Sequence, residues 1–256
     1  NLQLWRNILI KFSMLLVNNN RSKAYLQNLI QNGFIPTKII VLDGMNQTLV
    51  EHTENDKIIS KDTQQKFIRS LNDLNISFDE KEHIQKTIVK NNLDYSVVDT
   101  LEVNSPTVRN AVKELVDEYI VYSGPGGTIL KKEMFSLNKK FIHVHPGLLP
   151  GFRGSTTIYY SMLFESKVGC SVMLFDERID EGPILFKAKY QITEAGIDFD
   201  YVLDPLVRAK TLISFFQTNK LTEMAQNQSE EAATFYIIHP LLKHLSILKH
   251  NEGSLR

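Results

Sequence analysis

Continuous apolar runs alternate with helix-period segments along most of this chain. From Phe12 the order is FSMLLV, the polar stretch NNNRS, the periodic segment KAYLQNLIQNGF ending at Gly33, and a second apolar run in TKIIVLDG. That pattern predicts a strand, a helix and a parallel strand. Parallel strands covered on both faces read as unbroken apolar runs, which is what both runs show. Residues 50–82 are polar and low in strand signal, and predict a region of helix and loop. Tyr95 to Val103 predicts a further strand, and Asn104-Ser105-Pro106 a helix start, with Ser105 as cap and Pro106 in the first turn. EYIVYS, GPGG, TILKKEMFSL and FIHV then read as strand, loop, short helix and strand.

STTIYYSMLFES predicts another helix, and VGCSVMLFDERIDEGPILFKAKYQI two strands around a tight acidic turn. Asp204-Pro205 predicts a helix running to about Phe216, with Asp204 as its cap and Leu206, Ala209, Leu212, Ile213 and Phe216 as its apolar face. The polar stretch TNKLTEMAQNQSEEA reads as a linker to a small terminal element, TFYIIHPLLKHLSIL. The expected architecture is α/β, a Rossmann-like, mostly parallel sheet with flanking helices over residues 1–218, followed by a small C-terminal appendage over residues 219–256. Ligands of such sheets bind beyond the carboxyl ends of the strands, the edge where GPGG and HPGLLPG fall.

Charge narrows the range of partners. Lys and Arg total 29 and Asp and Glu total 29, so there is no global positive field to draw in nucleic acid or anionic lipid. Neither is expected as a partner. In the N-terminal stretch NLQLWRNILIKFSMLLV, Lys11 splits the apolar run and no small-residue cleavage site follows, so it reads as core strand, with apolar pieces too short to span a bilayer. One cysteine, Cys170, allows neither an internal disulfide nor a cysteine zinc site, and points to a reducing, cytoplasmic setting.

Two stretches carry candidate chemistry. The first strand is followed by NNNRS and not by a G-x-G-x-x-G turn, which argues against a nicotinamide enzyme. GPGG, at 124–127, lacks the Lys-Ser/Thr ending of a Walker loop and reads either as a flexible turn or as a place where backbone approaches a planar ligand. His143 and His145 stand two apart on a strand and face the same way. They suit a metal site completed by carboxylates among Asp176, Glu177, Asp180 and Glu181, or an acid/base pair tuned by one of them, or plain buried packing. The turn Asp176 to Gly182 reads as a solvated hairpin or as the source of a shielded carboxylate at Asp180.

Taken together, HVHPGLLPGFRGSTTIYYSML and VMLFDERIDEGPIL resemble the formyltransferases that use 10-formyltetrahydrofolate, over roughly residues 12–192. That family has an Asn-x-His-Pro strand end, a Leu-Leu-Pro-x-x-x-Gly loop and a downstream Asp-x-Gly, matched here by His145-Pro146, by Leu148 to Gly154 and by Asp180-Glu181-Gly182. The resemblance implies that His145 is the catalytic histidine and Asp180 its partner. It implies a 10-formyltetrahydrofolate site against Gly126, Thr128, Ile129, Leu130 and the turn Phe175, Asp176 and Glu177, with the glycines making room for a flat ring. His143 stands where the family has Asn, and is expected to take over as oxyanion donor.

The family's tRNA-specific members carry an additional C-terminal domain, and the ribonucleotide transformylases are shorter, so the resemblance leans toward the sugar N-formyltransferases. An amino sugar, nucleotide-linked or nonulosonate-like, is the expected acceptor, met by Arg153, Ser155, Thr156 and Tyr159. The alternatives are a metal-dependent hydrolase built on His143, His145 and Asp180, and a catalytically impaired relative that binds folate or a sugar nucleotide. His239 and His244 read as surface or packing residues, and the apolar tail from Phe235 to Leu248 as a cover for the sheet or a homodimer face.

Overall fold

The computed structural model of the protein describes residues 10–44, 76–193, 195–218, 227–228 and 232–253. Most of the region at 50–82 and most of the stretch read as a linker lie outside the described residues.

Seven strands form one sheet: β1 (Phe12–Val17), β2 (Ile39–Leu42), β3 (Tyr95–Val98), β4 (Tyr119–Ser123), β5 (Lys140–His145), β7 (Val168–Leu174) and β8 (Ile184–Tyr190), in the spatial order β3-β2-β1-β4-β5-β7-β8. Pairing is parallel from β3 through β5, while β7 and β8 join as an antiparallel hairpin across the acidic turn. The expected mostly parallel sheet flanked by helices is the sheet observed.

Alternate residues of β1 explain its unbroken apolar run. Met14 and Leu16 enter the larger core, while Leu15 and Val17 enter the core on the opposite face. Two helices help cover the larger core: α1 (Asn20–Gln31), whose cap Asn19 accepts the Ser22 N–H at 2.9 Å, and α6 (Asp204–Thr218). Beside α1 lies α2 (Ile84–Lys90). On the opposite face α3 (Pro106–Lys113) starts as expected, with Ser105 capping the Val108 N–H, and α4 (Lys132–Phe135) follows the GPGG loop.

Asp204 is not the cap expected of it. A π-helical turn, Phe199–Leu203, runs straight into α6, and Asp198 caps that turn by accepting from the N–H groups of Asp200 and Tyr201. With the helix already started, the Asp204 carboxylate turns to Arg208 one turn on, at 2.8 Å.

The tail packs on the sheet domain. A two-residue strand, β9 (Thr234–Phe235), pairs in parallel with β6 (Arg153–Gly154). The last helix, α7 (Pro240–Gly253), packs on α5 (Thr157–Glu165), where the Ser246 hydroxyl donates to the Tyr159 carbonyl at 2.9 Å. No helix among the described residues is long and apolar enough to cross a membrane.

Candidate active site

The sheet order reverses between β1 and β4, and a cavity of about 380 Å³ opens beyond the carboxyl ends of β1, β4 and β5. This is the switch point where open α/β sheets bind ligands. Phe141, His143 and His145 alternate along β5, so both imidazoles project on the face that carries the smaller core and line the cavity.

His145 is 2% exposed and engaged at both ring nitrogens. Nε2 lies 2.6 Å from the Phe152 carbonyl oxygen, and Nδ1 lies 3.4 Å from Oδ2 of Asp180. A carbonyl can only accept, so the proton of the neutral ring belongs on Nε2, and Nδ1 is the nitrogen left to take up a proton. Burial lowers the His145 pKa below its ordinary 6.5 and Arg208 adds to this, while Asp180 and the Phe152 carbonyl pull the other way. Asp180 sits in the left-handed region at φ +54, and its Oδ2 also accepts the Gly154 N–H at 2.9 Å.

His143 stacks on Phe175, with ring centroids 4.4 Å apart and planes 17° from parallel. Its Nδ1 has no hydrogen-bond partner among the described residues. Burial holds its pKa well below 6.5, reinforced by Arg208, Arg21 and His145, so the ring is neutral at physiological pH. Both arginines are fixed. Arg208 pairs with Asp204 and donates to the Val144 carbonyl at 2.8 Å, while Arg21 donates to the Ser123 hydroxyl at 2.9 Å and the Gly124 carbonyl at 2.6 Å.

The donor-side candidates Gly126, Thr128, Ile129, Leu130, Phe175 and Asp176 all border the cavity, as do Ser155 and Thr156. Glu177 does not; it is exposed at the crest of the acidic turn. Two acceptor-side candidates turn elsewhere. The Arg153 guanidinium is 4% exposed and directed to Glu181 and Gln228, and the Tyr159 hydroxyl is bound to Asp200 at 2.8 Å.

The glycines differ in what surrounds them. A Cβ on Gly126 would meet nothing, whereas one on Gly154, at φ +96, would sit 2.0 Å from the Phe235 carbonyl oxygen. Gly154 is required by the close approach of the chain's own tail.

Sequence reasoning passed over Arg21, Arg208 and the tail residues Thr234 to Ile237, all of which line the cavity. A signal existed for Arg208, a cation between the apolar residues Leu206, Val207 and Ala209, four residues after an Asp.

Ligand atoms of His143, His145 and Asp180 lie within 4.8 Å of one another. A tetrahedral zinc ion with bonds of about 2.0–2.2 Å needs donors about 3.4 Å apart, so these side chains would have to close on it. Asp180 would do so against its bond to Gly154. Cys170 is buried, with its thiol pushed up to about 12, and is no nucleophile.

A doubly covered α/β sheet with a buried histidine–aspartate pair at its switch point places the chain in the Rossmann-like class, with a pair chemically capable of acid/base work. Residues 37–200 match the family model described as formyl transferase, and the chain belongs to that family. It is 30% identical to methionyl-tRNA formyltransferase from Pelagibacter ubique over 157 residues, 60% of this chain and 47% of that one. The chain spans about half or less of the length of the curated relatives it matches.

Phosphoribosylglycinamide formyltransferase from Anaplasma phagocytophilum shares its fold, at 13% identity and a TM-score of 0.53 over 89% of this chain and 98% of that one. A sugar N-formyltransferase from a Shewanella species superposes with a TM-score of 0.48 at 18% identity, over 94% and 87% of the two chains.

Proposed function

We propose that this chain transfers a formyl group from 10-formyltetrahydrofolate to the amine of an amino sugar, nucleotide-linked or nonulosonate-like. The observation that carries the reading is the committed geometry of His145, with Nε2 held by the Phe152 carbonyl and Nδ1 turned to Asp180. The donor supplies the formyl carbon as an electrophile. Attack by a neutral amine leaves a proton to be removed, and the lone pair on His145 Nδ1 is the acceptor, with Asp180 stabilising the imidazolium that results. The bond from the formyl carbon to N10 of the donor then breaks, the imidazolium returns the proton to N10, and tetrahydrofolate leaves. Lowered by burial, His145 is unprotonated and ready at neutral pH. The negative charge that develops on the formyl oxygen faces neutral His143, with Arg208 and Arg21 fixed beside it.

Phe175 and the main chain of Thr128 to Leu130 provide the flat, partly apolar wall suited to a pterin. Ser155 and Thr156 line the same cavity and offer hydroxyl groups suited to a sugar. The balanced charge of the chain supports a small acceptor over a polyanion.

The Pelagibacter relative's name brings in a second acceptor, methionyl-tRNA. The test offers the protein 10-formyltetrahydrofolate with a panel of nucleotide-linked amino sugars and, separately, methionyl-tRNA, and reads N-formyl product by mass spectrometry. A product on an amino sugar, lost in His145→Ala, supports the proposal. Product on the tRNA alone moves the acceptor, and activity that needs zinc and no folate would replace the reading with the hydrolase.

A further inference from the structure

The catalytic carboxylate is held from outside the motif that carries it. Gln228 reaches back from the C-terminal part of the chain, and its side-chain N–H groups donate to the carbonyl oxygens of Asp180 at 2.9 Å and Gly182 at 2.7 Å. Its side-chain oxygen accepts from Arg153 Nε at 3.1 Å. An amide has two N–H hydrogens and one carbonyl oxygen, and here each kind is used. A glutamate has no hydrogen to give the two carbonyls, and a lysine has no acceptor for Arg153.

The same segment then returns as β9 along β6. The Phe235 carbonyl accepts the Ser155 N–H at 2.8 Å, and the Ile238 N–H donates to the Thr156 hydroxyl at 2.9 Å. β6 contains Gly154, whose N–H binds the Asp180 carboxylate. Asp180 is therefore fixed at two points, its carbonyl by Gln228 and its carboxylate by a strand that the tail clamps. Its left-handed backbone is one that a non-glycine residue keeps only where its surroundings hold it.

We infer that Gln228 is a positioning residue for the reaction. It holds the turn at 180–182 so that Asp180 faces Nδ1 of His145, and the tail strand β9 completes the clamp through Gly154. Gln228, which falls in the stretch that reads as a linker, is in this respect part of the active site. The inference rests on the formyl-transfer reading for its kinetic arm only.

Two variants and two readouts test it. Gln228→Met keeps the length of the side chain and removes every hydrogen bond, while Gln228→Glu keeps an acceptor for Arg153 and loses both donors. Each is expected to lower kcat about 10²-fold, the loss that a misplacement near 1 Å produces, with KM for the folate donor within about twofold of wild type. Independently of turnover, the ring nitrogens of His145 are titrated by NMR in wild type and Gln228→Met. His145 answers to Asp180 and Asp204, which raise its pKa, and to Arg208, which lowers it. Loosening Asp180 should move its titration to lower pH.

An unchanged kcat in an active protein, or a His145 titration that stays put while only the melting temperature drops, overturns the inference and makes Gln228 a structural residue. If Gln228→Met does not fold, kcat of Gln228→Glu decides. A wild type that transfers no formyl group defeats the proposed function instead, and the titration still decides the role of Gln228.

Discussion

Oδ2 of Asp180 stands 3.4 Å from Nδ1 of His145 and, in the same position, accepts the main-chain N–H of Gly154 at 2.9 Å. One oxygen thus contacts both the His145 imidazole and the backbone that aims the carboxylate. Asp180→Asn preserves the shape, and its amide oxygen can keep the Gly154 contact, but it removes the charge that stabilises an imidazolium. Formyl transfer should fall by about 10²–10⁴-fold, as it should in His145→Ala, with melting temperature nearly unchanged for Asp180→Asn. Full activity in either variant, measured by product formation, refutes the assignment.

Acid should destabilise the protein through its two buried imidazoles. Both His143 and His145 have folded-state pKa values below the ordinary 6.5, so between those lowered values and 6.5 the unfolded chain binds more protons than the folded one. Their contribution to stability is therefore complete above about pH 6.5 and is lost as pH falls below it. Melting temperatures measured from pH 8 down to pH 5 should drop on the acid side, less steeply in His143→Gln. Arg208→Met should let both rings charge at higher pH. It also leaves the Asp204 carboxylate without its buried partner, at a cost of about 3–5 kcal/mol in a denaturant titration.

What was legible in the sequence was local. Each strand of the parallel sheet could be read from its own apolar run, and the pairing of His145 with Asp180 from motifs a few residues long. What could not be read depends on contacts between distant positions. β9 is two residues long and has no periodicity to detect, yet it pairs with Arg153 and Gly154, about eighty positions earlier. Arg153 read as a residue that meets the acceptor because nothing near it in sequence reveals Gln228. Asp204 has the residue type of a helix cap, and only the π-helical turn before it, capped by Asp198, leaves its carboxylate to bind Arg208.

Gly154 is the residue where the tail and the Asp180 carboxylate meet. At φ +96 an alanine is strained, and its Cβ would lie 2.0 Å from the Phe235 carbonyl oxygen, a backbone atom with no freedom to swing aside. Gly154→Ala should push β9 off β6 and destabilise the fold by about 2 kcal/mol or more, read from urea midpoints. It should also lower kcat more than the stability loss explains, because the N–H that aims Asp180 moves with the strand. A variant with weakened stability and wild-type kcat would separate the clamp from the chemistry.

His143 occupies the position where the family pattern has Asn, and its environment indicates why an imidazole can serve there. Burial and the cations Arg208 and Arg21 keep the ring neutral, so like an amide it presents a polar group without a titrating charge at pH 7. It differs from an amide in its area, which stacks on Phe175 at 4.4 Å. His143→Asn should therefore retain formyl transfer to within about tenfold at neutral pH, while losing roughly 1 kcal/mol of stability with the stacked ring pair. Measuring kcat beside the melting temperature separates the two roles. A rise of a hundredfold or more would mean that the imidazole impairs a site built for an amide, and a loss of the same size that the ring itself takes part in the reaction.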